Sequence, residues 1–200
     1  MTDEKEQRSQ EDSRKGLVIA VTIFAVVLIA AVLAYNALAP EASQGFDLQR
    51  NGSSSQATSD GAKVPAFTVT DAAGETVSIR QFEGEPVVLN FWASTCGPCQ
   101  SEMPHFQAAY EKLGAEVRFV MVDIPGFNGE TIERAERFLQ SNGYTFPAYF
   151  DAEADASRAF AITSIPRTYF IDANGSIVAS ASGALSQQSL AQGLEMLGVS

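Results

Sequence analysis

Residues 86–93 read Pro-Val-Val-Leu-Asn-Phe-Trp-Ala, carry no charge, and lead through Ser94 and Thr95 into Cys96-Gly97-Pro98-Cys99. A run so apolar, rich in β-branched and aromatic side chains, reads as a strand covered on both faces, the kind found inside parallel sheets. The stretch 96–113 then reads as a helix, because Met103, Phe106, Tyr110 and Leu113 recur at intervals of three and four. Residues 116–123, Glu-Val-Arg-Phe-Val-Met-Val-Asp, supply the next strand. Strand, cysteine pair, helix and strand make a βαβ unit with both thiols at the carboxyl edge of a sheet, where open α/β proteins place their chemistry.

The rest of the chain from residue 63 keeps the alternation. Residues 67–70 and 76–78 flank the turn Asp71-Ala-Ala-Gly74 and predict a hairpin. Residues 130–142 predict a helix closed by Gly143, 146–150 a strand, and 155–161 a short helix. Residues 167–172 and 176–179 predict a second hairpin around Ala173-Asn174-Gly175, and 185–197 a closing helix. The expected class is α/β, with a central mixed sheet flanked by helices.

The first 62 residues are of another kind. Residues 1–15 are polar with mixed charge, and residues 17–39 carry no charge at all. At about 1.5 Å per residue those 23 residues reach about 34 Å, enough for a hydrocarbon core of about 30 Å. Lys5, Arg8, Arg14 and Lys15 precede the segment and only Arg50 follows at comparable distance. The expectation is a cytoplasmic tail (1–15), one transmembrane signal-anchor (16–39), a flexible Ser/Gly-rich linker (40–62) and an extracytoplasmic domain (63–200). The rival is a cleaved signal peptide ending at Ala37-Leu38-Ala39; the long apolar run and Pro40 after the cut argue against it.

Charge narrows the partners. The net charge is −11 at pH 7, and from residue 63 onward 8 basic side chains face 16 acidic ones. Nucleic acid is excluded as a partner, since phosphate binding needs a basic face.

Both cysteines of the chain lie in the one C-x-x-C. A bridge closing so small a loop restrains little of the unfolded chain, so a purely structural disulfide explains it poorly. A structural zinc needs four ligands, and the chain offers two Cys and one His, His105. No metal or cofactor is expected, and redox chemistry remains. Cys96 at the helix start should be the exposed nucleophile, its thiolate favoured by the helix dipole and free N–H groups. Cys99, one turn inside, should be the shielded resolving thiol. Pro98 suits the first turn, where its missing N–H costs nothing. Glu102 lies three residues past Cys99 on the same helix face. Burial would raise its pKa toward neutral and fit it to exchange protons with Cys99; otherwise it is a surface glutamate favoured by the dipole.

Together these residues resemble the thioredoxin superfamily, and within it the membrane-anchored extracytoplasmic TlpA/ResA/CcmG-like (redoxin) branch. The resemblance covers residues 64–197 and rests on Asn90-Phe91-Trp92-Ala93 before Cys96-Gly97-Pro98-Cys99, on Glu102-Met103-Pro104, on Ile165-Pro166 before a strand, and on residues 131–161 as that branch's strand-helix insertion. It implies a thioredoxin-like fold with an N-terminal hairpin. It also implies a redox-active Cys96–Cys99 disulfide, a cis-Pro166 whose neighbouring backbone, with Ile165, pairs with a substrate chain, and Glu102 as proton carrier. Asn90 stands where thioredoxins proper hold a buried acid, which shifts proton transfer to Glu102. Two departures bear on substrate choice: Thr95 where a Trp commonly precedes the first Cys, and Arg167 where Thr is usual after the cis-proline. Trp92 reads as core or site wall, and Gly97-Pro98 as the dipeptide of reducing thioredoxins.

Several functions stay open. One is a reductase of protein disulfides, fed by a membrane thiol donor, with apocytochrome c as the substrate type the branch suggests. Another is an oxidase or isomerase using the same residues. A thiol peroxidase of the peroxiredoxin type would need Thr or Ser at the place of Ala93. A tethered, non-catalytic redox-sensing module is the non-enzymatic alternative.

Overall fold

The computed structural model describes residues 49–50 and 61–199; the tail and apolar segment expected in the first 39 residues lie outside them. Eight strands form one sheet in the order β1-β8-β7-β4-β5-β6-β2-β3. They are β1 (Gln49–Arg50), β2 (Thr68–Asp71), β3 (Thr76–Ser78), β4 (Val87–Trp92), β5 (Arg118–Asp123), β6 (Ala148–Phe150), β7 (Arg167–Ile171) and β8 (Ile177–Ser182). The helices are α1 (Gly97–Leu113), α2 (Ile132–Asn142), α3 (Asp155–Ala159) and α4 (Gln187–Met196). Short 3-10 turns occupy Ile79–Phe82 and Phe127–Gly129.

β4 is the central strand and all six of its residues are buried. It pairs in parallel with β5 and antiparallel with β7. The sheet is therefore mixed, and the βαβ unit read from the sequence is β4-α1-β5. Alternation along β4 divides the core. Val88 and Trp92 face a layer with Cys99, Met103 and Phe106 of α1 and Leu190 and Leu194 of α4. Val87, Leu89 and Phe91 face Phe67, Ile79, Ala156 and Tyr169. Asn90 falls on the first face, between Val88 and Trp92, and so looks toward α1.

The hairpins form as expected, β2 on β3 and β7 on β8. The block 131–161 supplies α2, β6 and α3, and β6 joins β5 to the N-terminal hairpin. Gly143 closes α2 with φ 69°, a conformation that suits a residue without Cβ. β1 pairs with β8 at the sheet edge, inside the stretch expected as linker. Three boundaries differ with a physical cause. α2 begins after Thr131, whose side chain accepts the Arg134 N–H; Glu130 stays extended and is used elsewhere. α3 stops at Ala159, and Ala161 has φ 48°. α4 begins after the Ser186 cap, leaving the Leu185 N–H free of the helix.

α4 lies against β7 through Gly193, where an added Cβ would overlap the ring of Phe170. Gly to Ala inside a helix ordinarily gains about 1 kcal/mol. Here overpacking should reverse the sign: Gly193→Ala is expected to cost about 1–3 kcal/mol, read from urea unfolding midpoints of the two proteins.

Candidate active site

Cys96 is the N-cap of α1, with extended backbone, and its sulfur accepts the N–H of Cys99 at 3.3 Å. Strand β4 delivers it: the chain leaves the sheet after Trp92 and turns at residues 93–96, where the Cys96 N–H donates to the Ala93 carbonyl at 3.2 Å. The two cysteines are joined by a disulfide. Cys96 keeps 7% of its surface and Cys99 none. Cys99 is shielded as expected, but Cys96, expected to be exposed, is also buried. The cis Ile165–Pro166 loop lies against it, with the Ile165 carbonyl oxygen 3.9 Å from its sulfur. Gly97 and Pro98 are exposed at the rim and Pro166 is buried.

Glu102 is fully buried, which removes the surface reading. Its Oε1 accepts the Asn90 side-chain amide at 2.9 Å, and its Oε2 accepts the Leu185 N–H at 2.7 Å. The second Asn90 hydrogen goes to Thr168 Oγ1 at 3.0 Å. Burial pushes the Glu102 pKa up to about 7 against the opposing pull of the Leu185 and Asn90 hydrogen bonds. The carboxyl one turn behind Cys99 is thus poised between charged and neutral forms near physiological pH. Asn90, Thr168 and Leu185 come from three distant stretches, and the last two leave no signal in the sequence.

The turn before Cys96 is held from below. Glu130 takes the Ser94 hydroxyl at 2.9 Å and the Thr95 N–H at 2.8 Å, and Thr95 Oγ1 donates to the Phe127 carbonyl at 3.1 Å. Gln100 donates to the Ser94 carbonyl at 2.6 Å. Trp92 is buried against Phe138, ring centres 6.0 Å apart, a wall rather than a platform. Sequence reasoning placed Glu130 in α2 and passed over Asp123; both are buried acids beside this turn. Arg167 sits half-buried beyond Pro166. Its guanidinium lies 5.5 Å from the Tyr169 ring centre, with Nε 3.3 Å from the phenol oxygen.

The arrangement can perform dithiol–disulfide exchange: a capped outer sulfur, an enclosed inner sulfur, and a neutral-range carboxyl behind it. Among the described residues no cluster of His, Cys, Asp and Glu could hold a metal ion.

A raised carboxyl pKa has a stability consequence. Between about 4.5 and 7 the folded protein keeps a proton on Glu102 that the unfolded chain has lost, so the contribution of this group to stability falls as pH rises through this window and levels off above it. Glu102→Gln is expected to remove that contribution to the slope. Relative to the parent, it should gain on the order of 3 kcal/mol between pH 4.5 and 7, measured by urea unfolding of the oxidised proteins across pH.

Comparison with known proteins agrees with this geometry. The AhpC/TSA family profile matches residues 61–180. The chain is 31% identical over 140 residues to thiol-disulfide oxidoreductase ResA of Geobacillus thermodenitrificans, covering 68% of this chain and 77% of that one. It is similar to the crystal structure of StoA from Bacillus subtilis, with TM-score 0.56 and 29% identity over 66% of this chain and 98% of that one. The fold is shared with a thiol:disulfide interchange protein of the thioredoxin family from Chlorobium tepidum TLS, with TM-score 0.61 and 23% identity over 70% and 99% of the two chains.

Proposed function

The chain belongs to the AhpC/TSA family and is a ResA-like thiol-disulfide oxidoreductase with a thioredoxin-like fold and the pair Cys96–Cys99; on that premise we propose that it reduces protein disulfides outside the cytoplasmic membrane, tethered by residues 16–39. The observation that carries the reading is the buried Glu102 behind Cys99.

In the proposed cycle the Cys96 thiolate attacks one sulfur of a client disulfide and expels the other as a thiolate, which takes up a proton. The client strand lies along the Ile165–Pro166 loop, whose Ile165 carbonyl borders Cys96. Cys99, sealed from water, then needs a local base. Glu102 as carboxylate accepts the Cys99 proton, and the new thiolate attacks Cys96 Sγ. The second client sulfur leaves and the disulfide closes. Two electrons pass from the dithiol to the client, and Glu102 returns its proton to a departing thiolate. Thr95 and Arg167 border this path, and we assign them to client choice. Apocytochrome c is the client type favoured by the family resemblance. A membrane thiol carrier would restore the dithiol, because the compartment is oxidising.

Support for the tether comes from the uncharged run 17–39 and the basic residues before it. Recovery of the full chain in the membrane fraction, with the domain open to external protease, is the expected result; recovery as a soluble cytoplasmic protein would overturn it.

Three measurements test the chemistry. The reduction potential should lie in the reducing range; a value near about −120 mV, that of a strong oxidant, would favour the oxidase reading instead. Glu102→Gln should slow release of product from the mixed disulfide by about 100-fold while Cys96 alkylates as in the parent. Equal kinetics in both proteins would remove Glu102 from proton transfer. Peroxide turnover should be absent, as Ala93 offers no hydroxyl.

A further inference from the structure

Asp123 ends β5 opposite Trp92 of β4 and alternates with Phe119 and Met121, so it faces the α1 layer. It is fully buried, and neither of its carboxylate oxygens has a hydrogen-bond partner. Burial first, and then the charge of Glu130, push its pKa up to about 8. At neutral pH it is a neutral acid. Glu130 is equally enclosed but differently served. It accepts from the Ser94 hydroxyl, the Thr95 N–H and the Thr131 N–H, at 2.9, 2.8 and 3.1 Å. Three donors converge on this one carboxyl, next to the residue before Cys96.

We propose that Glu130 and Asp123 are positioning residues for Cys96, two buried acids behind the Ser94–Thr95 turn, of which Glu130 clamps the turn and both disfavour the Cys96 thiolate. The proposal rests on the reductase reading and deepens it. Disfavouring the thiolate destabilises the reduced pair relative to the disulfide, which makes the dithiol a stronger reductant.

The other groups around these residues do not supply the same effect. At Cys96, the α1 N-terminus favours the thiolate. Glu102 lies behind Cys99, bound to Asn90 and Leu185, and Arg167 is held on Tyr169. At Asp123, β4 presents the Trp92 indole, and β6 presents Phe150 in register. The Asp151 carboxylate that follows is engaged by the Ala156 and Ser157 N–H groups at 2.9 and 2.8 Å. α2 packs with Ala135 and Phe138, while its Glu133, Arg134, Glu136 and Arg137 are exposed. Above about pH 8, Asp123 ionises and its charge is added on this side of Cys96.

The test is thiolate formation at Cys96 in the reduced full chain in detergent, followed by alkylation rate and thiolate absorbance from pH 5 to 10. Glu130→Gln should move the Cys96 titration down by at least about half a unit, about a threefold gain in thiolate at pH values below the titration, and shift exchange with glutathione toward the dithiol by a similar factor at pH values above it. Asp123→Asn should follow the parent below pH 7 and lose the parent's inflection near pH 8. An unmoved or raised titration in Glu130→Gln overturns the proposal. So does an Asp123→Asn curve shifted below pH 7 as far as that of Glu130→Gln. If Glu130→Gln does not fold, Asp123→Asn decides alone: an inflection that persists overturns the pair. A strongly oxidising parent protein would defeat the reductase reading while leaving these differences between variants intact, so the two failures are separable.

Discussion

Glu102 is fully buried, and its two oxygens are held by groups from distant parts of the chain: the Asn90 amide from the central strand and the Leu185 N–H from the approach to α4. Those two hydrogen bonds tie α1, the sheet and the C-terminal helix to one carboxyl. An unpartnered carboxylate in this layer would cost several kcal/mol; with both bonds it stays near the boundary between charged and neutral. The inner thiol sits one helical turn away in the same closed layer. In the proposed cycle a sealed thiol gives its proton to this carboxyl, which is buried and still ionisable.

The cysteines themselves obey a simpler constraint. A helix start offers N–H groups with no helical partner, and Cys96 takes one of them as an N-cap while Cys99 turns inward. The outer sulfur is then covered by the cis-proline loop rather than left bare. Gly97 and Pro98 stay exposed beside it. On the far side, Glu130 holds the turn that carries Cys96 from strand into helix.

Much of this was legible in the sequence because it is local. The uncharged run before the cysteines announced β4, the three-and-four spacing of Met103, Phe106 and Leu113 announced α1, and Gly143 marked the end of α2. Glu102 could be placed behind the cysteines because three residues along a helix is a fixed geometry. What could not be read depends on chain returning from far away. The Leu185 N–H reaches Glu102 from 83 residues on, and Thr168 reaches Asn90 from 78. Glu130 looked like the first residue of a helix; the Thr131 cap shifted that start and freed Glu130 to turn back 36 residues to Ser94. The near closure of Cys96 was also hidden, since the covering loop lies 69 residues away.

The central claim is that the two sulfurs have unequal tasks, the outer one meeting the client and the inner one releasing it. Trapping measures this most directly. Cys99→Ser, reduced and mixed with a disulfide-bonded client, should accumulate a mixed disulfide through Cys96, seen as a thiol-cleavable adduct on a non-reducing gel. Cys96→Ser should accumulate none. An adduct formed through Cys99 in the Cys96→Ser chain, at a rate equal to that of its counterpart, would contradict the account.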